Sequence, residues 1–173
     1  MSFLSKYIAS YQIRKIASAP RTRQFIKIPE AKSIGIVFDA TDAGEFEIIK
    51  KFIQQLKEHT KGVHAIGFVD NKITPPYAYI KTDIDLFNKK EVKHGYQPLS
   101  PYIKTFIEAG RDLLIDANVK NKLPLQYIAA ASRARCKVGQ HTPGNERFHD
   151  VLLNVGENNS LEFFLQQSLK YLT

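Results

Sequence analysis

Apolar residues recur along this chain with two different spacings. Short, uninterrupted apolar runs bounded by turn residues, such as residues 34–38, are typical of strands buried in a parallel sheet. Between these runs, apolar residues lie three and four positions apart, as on one helix face, for example at Ile49, Phe52, Ile53 and Leu56. This alternation predicts right-handed βαβ units. The fold class is therefore predicted as a three-layer α/β domain with a mostly parallel, Rossmann-like sheet of about five strands.

Turn and capping residues set the predicted ends of these elements. Strands are predicted at residues 34–38, 63–69, 113–115, 136–139 and 151–153, and residues 84–87 resemble a short strand in an irregular stretch. Helices are predicted to begin at the capping residues Asp42, Ser100 and Ser160. Two helices are predicted to end at glycines able to adopt the left-handed conformation, Gly62 and Gly110.

An amphipathic helix is predicted before the first strand, over residues 2–17. One of its faces carries Phe3, Leu4, Tyr7, Ile8 and Tyr11, and we expect this face to pack on the domain. A partner groove, a membrane surface or a second copy in a homodimer are the alternatives. Residues 20–32 are predicted to form an extended linker. The chain thus divides into a basic helix with its linker, 1–32, and a single α/β domain, 33–173.

Positive charge is concentrated at the start of the chain. The formal net charge is +8, and no acidic residue precedes Glu30. Six cations lie before it: Lys6, Arg14, Lys15, Arg21, Arg23 and Lys27. Such an arm attracts polyanions, which predicts RNA, the ribosome or an anionic membrane surface as partner. A solvated surface with no partner is the other interpretation.

The chain has a single cysteine, Cys136, so no disulfide within it is possible. Cys136 falls within a predicted strand, which indicates a core thiol. No secretory signal pattern begins the chain, and no apolar run approaches the roughly 18 residues that span a bilayer. We therefore expect a cytoplasmic location.

Candidate ligand-binding residues follow the predicted strands, because ligands of such sheets bind at the carboxyl ends of strands. Asp39, Thr41, Asp42, Asp116 and Asn118 follow two of these strands. His141 and Arg147 lie in a later loop and could pair with a phosphate or a carboxylate. These residues predict a site for a small anionic ligand, either phosphorylated or sugar-like.

Three carboxylates, Asp39, Asp70 and Asp116, each follow a predicted strand. If the strands are neighbours, these oxygens could hold Mg²⁺. Aspartates after strands are more often turn or capping residues, so no cofactor and no metal site is predicted, with Mg²⁺ as the alternative. Nucleotide-binding glycine motifs, a serine-hydrolase motif and zinc-ligand spacings are absent, so no catalytic residue is assigned.

Residues 112–116, 123–130 and 132–139, together with residues 34–41 and the helix start at Ser100, resemble a known family. It is an uncharacterised family of small Bacteroidota proteins, a domain of unknown function. The resemblance implies the fold and a bacterial cytoplasmic setting, and it implies no activity.

Residues 112–116 and 133–139 also resemble, more loosely, the amino-terminal half of lipopolysaccharide heptosyltransferases. Residues 39–45 depart from that family, which has a serine-leucine-glycine-aspartate run there. The chain is also too short for the second domain that binds the nucleotide sugar. The resemblance therefore implies a half domain kept for binding rather than for sugar transfer.

Three functions fit the sequence. The favoured one is a non-catalytic binding or adaptor protein whose basic arm engages an anionic partner. The second is a small enzyme or ligand binder that acts on a phosphorylated or sugar-like substrate at the strand ends. The third is a subunit of a structural homo-oligomer.

Overall fold

The computed structural model describes residues 3–79, 83–94, 96–156 and 160–173. The strands are β1 (Ser33–Asp39), β2 (Gly62–Val69), β3 (Ile84–Asn88), β4 (Val92–Lys93), β5 (Gln97–Pro98), β6 (Leu113–Ala117), β7 (Cys136–Gln140) and β8 (Val151–Leu153). The α-helices are α1 (Phe3–Ala17), α2 (Ala43–Lys57), α3 (Pro101–Glu108), α4 (Leu123–Ala131) and α5 (Leu161–Leu172).

Six of the strands form one sheet in the order β3-β2-β1-β6-β7-β8, and all neighbours in it are parallel. This confirms the predicted Rossmann-like sheet, with six strands instead of about five. The additional strand is β3, at the edge beside β2. The strand order reverses between β1 and β6, which pair from Ile34 with Leu113 to Phe38 with Ala117. Ligands of such sheets bind beside this reversal, at the carboxyl ends of the strands.

Successive side chains of β1 point to opposite faces of the sheet, so β1 contributes to two hydrophobic cores. Ile34, Ile36 and Phe38 belong to the core that α2 and α5 cover. Val37 belongs to the opposite core, where α3, α4 and α1 contribute Phe106, Ile128, Ile13 and their neighbours. The three-layer architecture is therefore confirmed.

Helix α1 packs against α4 through a different face from the expected one. Ala9 and Ile13 are buried, whereas Tyr7, Ile8 and Tyr11 are 69%, 46% and 61% exposed. The expectation that this tyrosine face packs on the domain is therefore wrong. A small alanine and one isoleucine let the two helices come close, which the two bulky tyrosines would prevent. The side chains of Phe3 and Leu4 lie outside the described part of the chain.

The segment after α1 is extended, as predicted, but it lies against the domain. Both carboxylate oxygens of Asp150 accept hydrogen bonds of 2.6 Å from the guanidinium of Arg21. The same guanidinium donates to the carbonyl oxygen atoms of Ala134 and Arg135. Ile26 and Ile28 are buried in the core under α2 and α5. Part of the basic arm is thus bound within the molecule, while the division of the chain at residue 32 stays a prediction.

The predicted helix starts at Asp42, Ser100 and Ser160 and the predicted helix end at Gly110 are confirmed, and the predicted end at Gly62 is wrong. The side chains of Asp42 and Ser160 cap α2 and α5, and Gly110 follows α3 with a φ of +58°. Ser100 is the N-cap residue of α3, as predicted, but its side chain makes no capping hydrogen bond and its hydroxyl donates to a carboxylate oxygen of Glu91. Gly62 ends no helix, because α2 stops at Lys57. Gly62 begins β2. A Cβ atom at this position would lie 2.3 Å from the backbone carbonyl oxygen of Lys32, the residue before the neighbouring strand β1.

Cys136 lies in β7 and is buried, as predicted. Burial raises the pKa of its thiol, so the sulfur stays protonated at neutral pH. Within the described residues, no helix is both long and apolar enough to cross a membrane.

Candidate functional site

The carboxyl ends of β1, β2 and β6 bring three aspartates to one edge of the sheet. Asp39 ends β1, Asp70 directly follows β2, and Asp116 lies near the end of β6. The chain's own donors hold each of these carboxylates. Among the residues that the structure describes, no three His, Cys, Asp or Glu side chains are arranged to hold a metal ion.

Asp39 and Thr41 connect the loops that follow β1 and β2. The backbone N–H and the hydroxyl of Thr41 donate to Asp39 Oδ1 over 3.0 and 2.5 Å. The Thr41 hydroxyl oxygen accepts a hydrogen bond from the backbone N–H of Asp70. Asp39 is buried, with the amines of Lys120 and Lys122 at 3.9 and 3.8 Å from its Oδ2. These two predicted residues therefore stabilise the loops rather than face a ligand.

Asp42 and Asn118 are also engaged with the backbone. Asp42 Oδ1 accepts from the N–H of Glu45 at the first turn of α2. The Asn118 side chain accepts from the N–H of Lys122 and donates to the carbonyl oxygen of the same residue. Asn118 thereby fixes the backbone that carries the Lys122 amine.

Asp116 pairs with a buried histidine that the sequence analysis did not select. His149 Nε2 lies 2.9 Å from Asp116 Oδ2, and its Nδ1 lies 3.0 Å from the carbonyl oxygen of Asn145. A carbonyl oxygen only accepts, so Nδ1 is the donor to Asn145. Gly139 makes room for the ring, since a Cβ there would lie 2.5 Å from Nε2. The pair is sealed from solvent.

His141 and Arg147 are exposed and lie in the loop after β7. Their loop already holds a carboxylate of the chain, because the N–H of Gly144 donates to Glu146 Oε2 over 2.7 Å. Hydrogen bonds from the backbone N–H groups of Glu146 itself and Gly144, with Arg147 and His141 nearby, lower the pKa of Glu146. The predicted residues thus lie in separate loops of the carboxyl edge, after β1, after β6 and after β7.

A cleft of about 510 Å³ opens beside Asp70, where β2 ends and α4 begins. Its apolar lining consists of Phe68, Val92, Leu123 and Pro124. Its charged lining consists of Lys6, Lys89, Lys122 and Asp70. We name this feature the lysine cleft. None of the seven predicted ligand-binding residues is among the described side chains that line it.

The charges of the lysine cleft do not balance. Asp70 accepts from the Lys122 amine over 2.5 Å and lies 2.7 Å from the Lys89 amine. These hydrogen bonds from Lys122 and Lys89 lower the pKa of Asp70, so its carboxylate stays ionised at neutral pH. Lys6 adds a third lysine side chain, from α1. Three ammonium groups and one carboxylate leave two net positive charges around an apolar floor.

A second cleft, of about 480 Å³, lies between the start of α2 and the start of α5. Its one lysine, Lys120, donates to Glu45 Oε2 over 2.8 Å. This hydrogen bond from Lys120 to Glu45 raises the pKa of the lysine. Glu162 adds a further acid to the lining, so this cleft attracts anions less than the lysine cleft does.

Sequence reasoning missed the three lysines and His149 as site residues. Lys6 was assigned to the basic arm, and Lys89 and Lys122 are ordinary surface residues by sequence. Lys6 and Lys89 are 83 positions apart along the chain, and Lys89 and Lys122 are 33 positions apart. Only the strand order brings the three lysines together. The one available signal was the position of Lys122 directly before a helix start at the carboxyl edge.

The comparisons with known proteins address the family. A family model described as a family of unknown function, DUF6913, matches residues 5–173. The chain belongs to this family. Searches of curated proteins and of solved structures find no match to the chain. Membership of the DUF6913 family therefore carries no activity, and the function has to be argued from the lysine cleft.

Proposed function

We propose that this protein binds a small dianionic ligand with an apolar body in the lysine cleft. The observation that carries the proposal is the convergence of three lysine side chains on one cleft with an apolar floor. They come from α1, from the turn after β3 and from the residue before α4. A phosphate monoester attached to a flat or apolar group has this chemistry, since it carries nearly two negative charges at neutral pH.

The lysines keep hydrogen-bonding capacity for such a ligand. An ammonium group has three N–H donors, and the bond to Asp70 uses one donor of Lys89 and one of Lys122. The Lys89 side chain is half exposed and lines the cleft, so a ligand can reach it. A dianion would neutralise the two net charges of the cleft and gain charge-assisted hydrogen bonds.

The place and the size of the cleft also support the proposal. It lies at the carboxyl ends of parallel strands, close to the reversal of strand order, where α/β sheets bind ligands. Its volume falls within the range of roughly 300–1,000 Å³ that is usual for small-molecule sites. Val92 and Leu123, which are half-buried, offer an apolar surface to the body of the ligand.

Phenyl phosphate is a suitable first probe, because it joins a dianion to an apolar ring. We expect it to raise the melting temperature and to bind with measurable heat in a calorimetric titration. A ligand at about 100 times its Kd adds about 2.7 kcal/mol to the free energy of unfolding. Inorganic phosphate, which lacks the ring, and benzenesulfonate, which carries a single charge, should bind more weakly.

A matched pair of variants locates the site. Lys89→Gln removes a cleft amine, and we expect it to weaken phenyl phosphate binding about tenfold. Lys90→Gln removes the adjacent exposed charge, which does not line the cleft, and should leave the affinity unchanged. The proposal fails if phenyl phosphate does not bind, or if the two variants lose affinity equally.

A further inference from the structure

The outer face of α1 combines exposed aromatic and basic side chains. Tyr7, Ile8 and Tyr11 are all exposed, and Arg14 and Lys15 are exposed on the same side of the helix. With 3.6 residues per turn, these five residues fall within a single arc of the helix. The opposite arc carries Ala9 and Ile13, which are buried against the domain. The domain therefore holds α1 with this mixed face towards solvent.

The charge of the outer face is complementary to an anionic surface. Helix α1 contains Lys6, Arg14 and Lys15 and no acidic residue. Arg21, in contrast, is bound to Asp150, and the Lys27 amine donates to the carbonyl oxygen of Thr173. Of the six cations of the arm, Arg14 and Lys15 are the two exposed on the outer face of α1. Arg23 is exposed too, but it lies 3.8 Å from Asp150.

A lipid surface fits this face better than a nucleic acid does. Tyrosine side chains are favoured at the depth of lipid headgroups, and lysine and arginine pair with lipid phosphates. Ile8 is 46% exposed between the two tyrosines and would gain from contact with the acyl boundary. The face is the convex side of one helix, which a flat bilayer contacts along its length, whereas single-stranded nucleic acids are bound in charged grooves.

We infer that the outer face of α1 docks this protein on an anionic membrane surface. The helix lies parallel to the bilayer, with Tyr7, Ile8 and Tyr11 among the headgroups. Arg14 and Lys15 pair with lipid phosphates. This inference is independent of the ligand in the lysine cleft, because the cleft is lined by Lys6 and by none of these five side chains.

Vesicle flotation with the full chain tests the inference. We expect the protein to float with vesicles of phosphatidylcholine mixed with phosphatidylglycerol and to stay behind with vesicles of phosphatidylcholine alone. High salt should release it, since exposed charges are screened. The double variant Tyr11→Ser with Lys15→Gln should lower the partition onto anionic vesicles about tenfold.

A second helix provides a matched control. Tyr171 is 57% exposed on α5, next to the exposed Lys170, so Tyr171→Ser with Lys170→Gln makes the same chemical change elsewhere. This control should float like the unmodified chain, and circular dichroism should show that both variants are folded. Equal loss in both variants, or equal flotation with neutral and anionic vesicles, overturns the inference.

If the outer face of α1 binds RNA or a second copy of the chain instead of a membrane, the α1 variant gives a different result. Binding of a single-stranded RNA that only the α1 variant loses, without vesicle binding, would replace the membrane with a nucleic acid. A dimer in light scattering that only the α1 variant dissociates, again without vesicle binding, would replace it with a second copy of the chain. Either result overturns the membrane inference.

Discussion

At the residue scale, the most unusual group is a buried lysine in the sheet, on the strand next to the edge strand β8. Lys137 lies in β7 and is 1% exposed. Its amine donates to the carbonyl oxygen atoms of Ala129 and Ala130, over 2.8 and 3.0 Å, at the end of α4. These carbonyls have no partner within their helix, so Lys137 supplies the hydrogen bonds that the helix end lacks.

Burial, with the nearby charge of Arg21, lowers the pKa of Lys137 to about 7. In the unfolded chain this pKa lies near 10.4, so between about pH 7 and pH 10 the unfolded state binds more protons. The free energy of unfolding should therefore rise with pH across this range, by up to roughly 1 kcal/mol per pH unit from this group. Urea unfolding at several pH values measures the slope.

The variant Lys137→Met has a similar length and no titrating group. We expect it to lose the part of the pH slope that Lys137 supplies, whatever its absolute stability. Lys90→Gln, at an exposed position, should keep the slope of the unmodified chain. Equal slopes in all three proteins would show that Lys137 does not titrate near neutral pH.

Individual residues also show where sequence reasoning succeeds. Asp42 and Ser160 were predicted as caps and act as caps, because a capping side chain bonds within its own first turn. The role of Ser100 depends on Glu91 and that of Gly62 on the backbone at Lys32, both distant in sequence. Local interactions were thus predictable, and contacts between elements were not.

At the element scale, the position of α1 on the domain is set by its buried face. Ile13 is 4% exposed in the core beneath α1, α3 and α4, whereas Ile8 lies on the outer face of the same helix. We expect Ile13→Ala to lower the free energy of unfolding by roughly 2–4 kcal/mol, because it leaves a cavity. Ile8→Ala should change it by less than about 0.5 kcal/mol.

Chemical denaturation measures the free energy of unfolding of Ile13→Ala and Ile8→Ala. The same substitution is thereby compared on the buried face and on the outer face of α1. A larger loss for Ile8→Ala than for Ile13→Ala would mean that the tyrosine face packs on the domain after all. It would also remove the exposed surface on which membrane docking rests. The expected order of the two losses therefore tests the orientation of α1 directly.

Strands and helices could be predicted because their signals are local. Apolar runs indicated β1, β2, β6, β7 and β8, and the three-and-four spacing indicated α2 and α5. The face of α1 that packs could not be predicted, since apolar residues occur on both of its sides and only the shape of α4 selects between them. The short edge strand β3 had no distinctive pattern and was predicted only weakly.

At the scale of the whole molecule, which has a net charge of +8, two surfaces carry an excess of positive charge. The lysine cleft gathers three amines at the carboxyl edge, and the outer face of α1 presents Arg14 and Lys15. The sequence indicated an affinity for anions and located it in the arm. The cleft could not be predicted, because its lysines meet only when the strand order β3-β2-β1-β6 is in place.

The measurement that tests ligand binding in the lysine cleft most directly is lysine acylation followed by mass spectrometry, with and without saturating phenyl phosphate. It uses the unmodified chain and reads every amine separately. We predict that phenyl phosphate slows the acylation of Lys6, Lys89 and Lys122 and leaves Lys90 unchanged. Protection confined to lysines outside the cleft, such as Lys120, or no protection at any lysine, would contradict the proposed function.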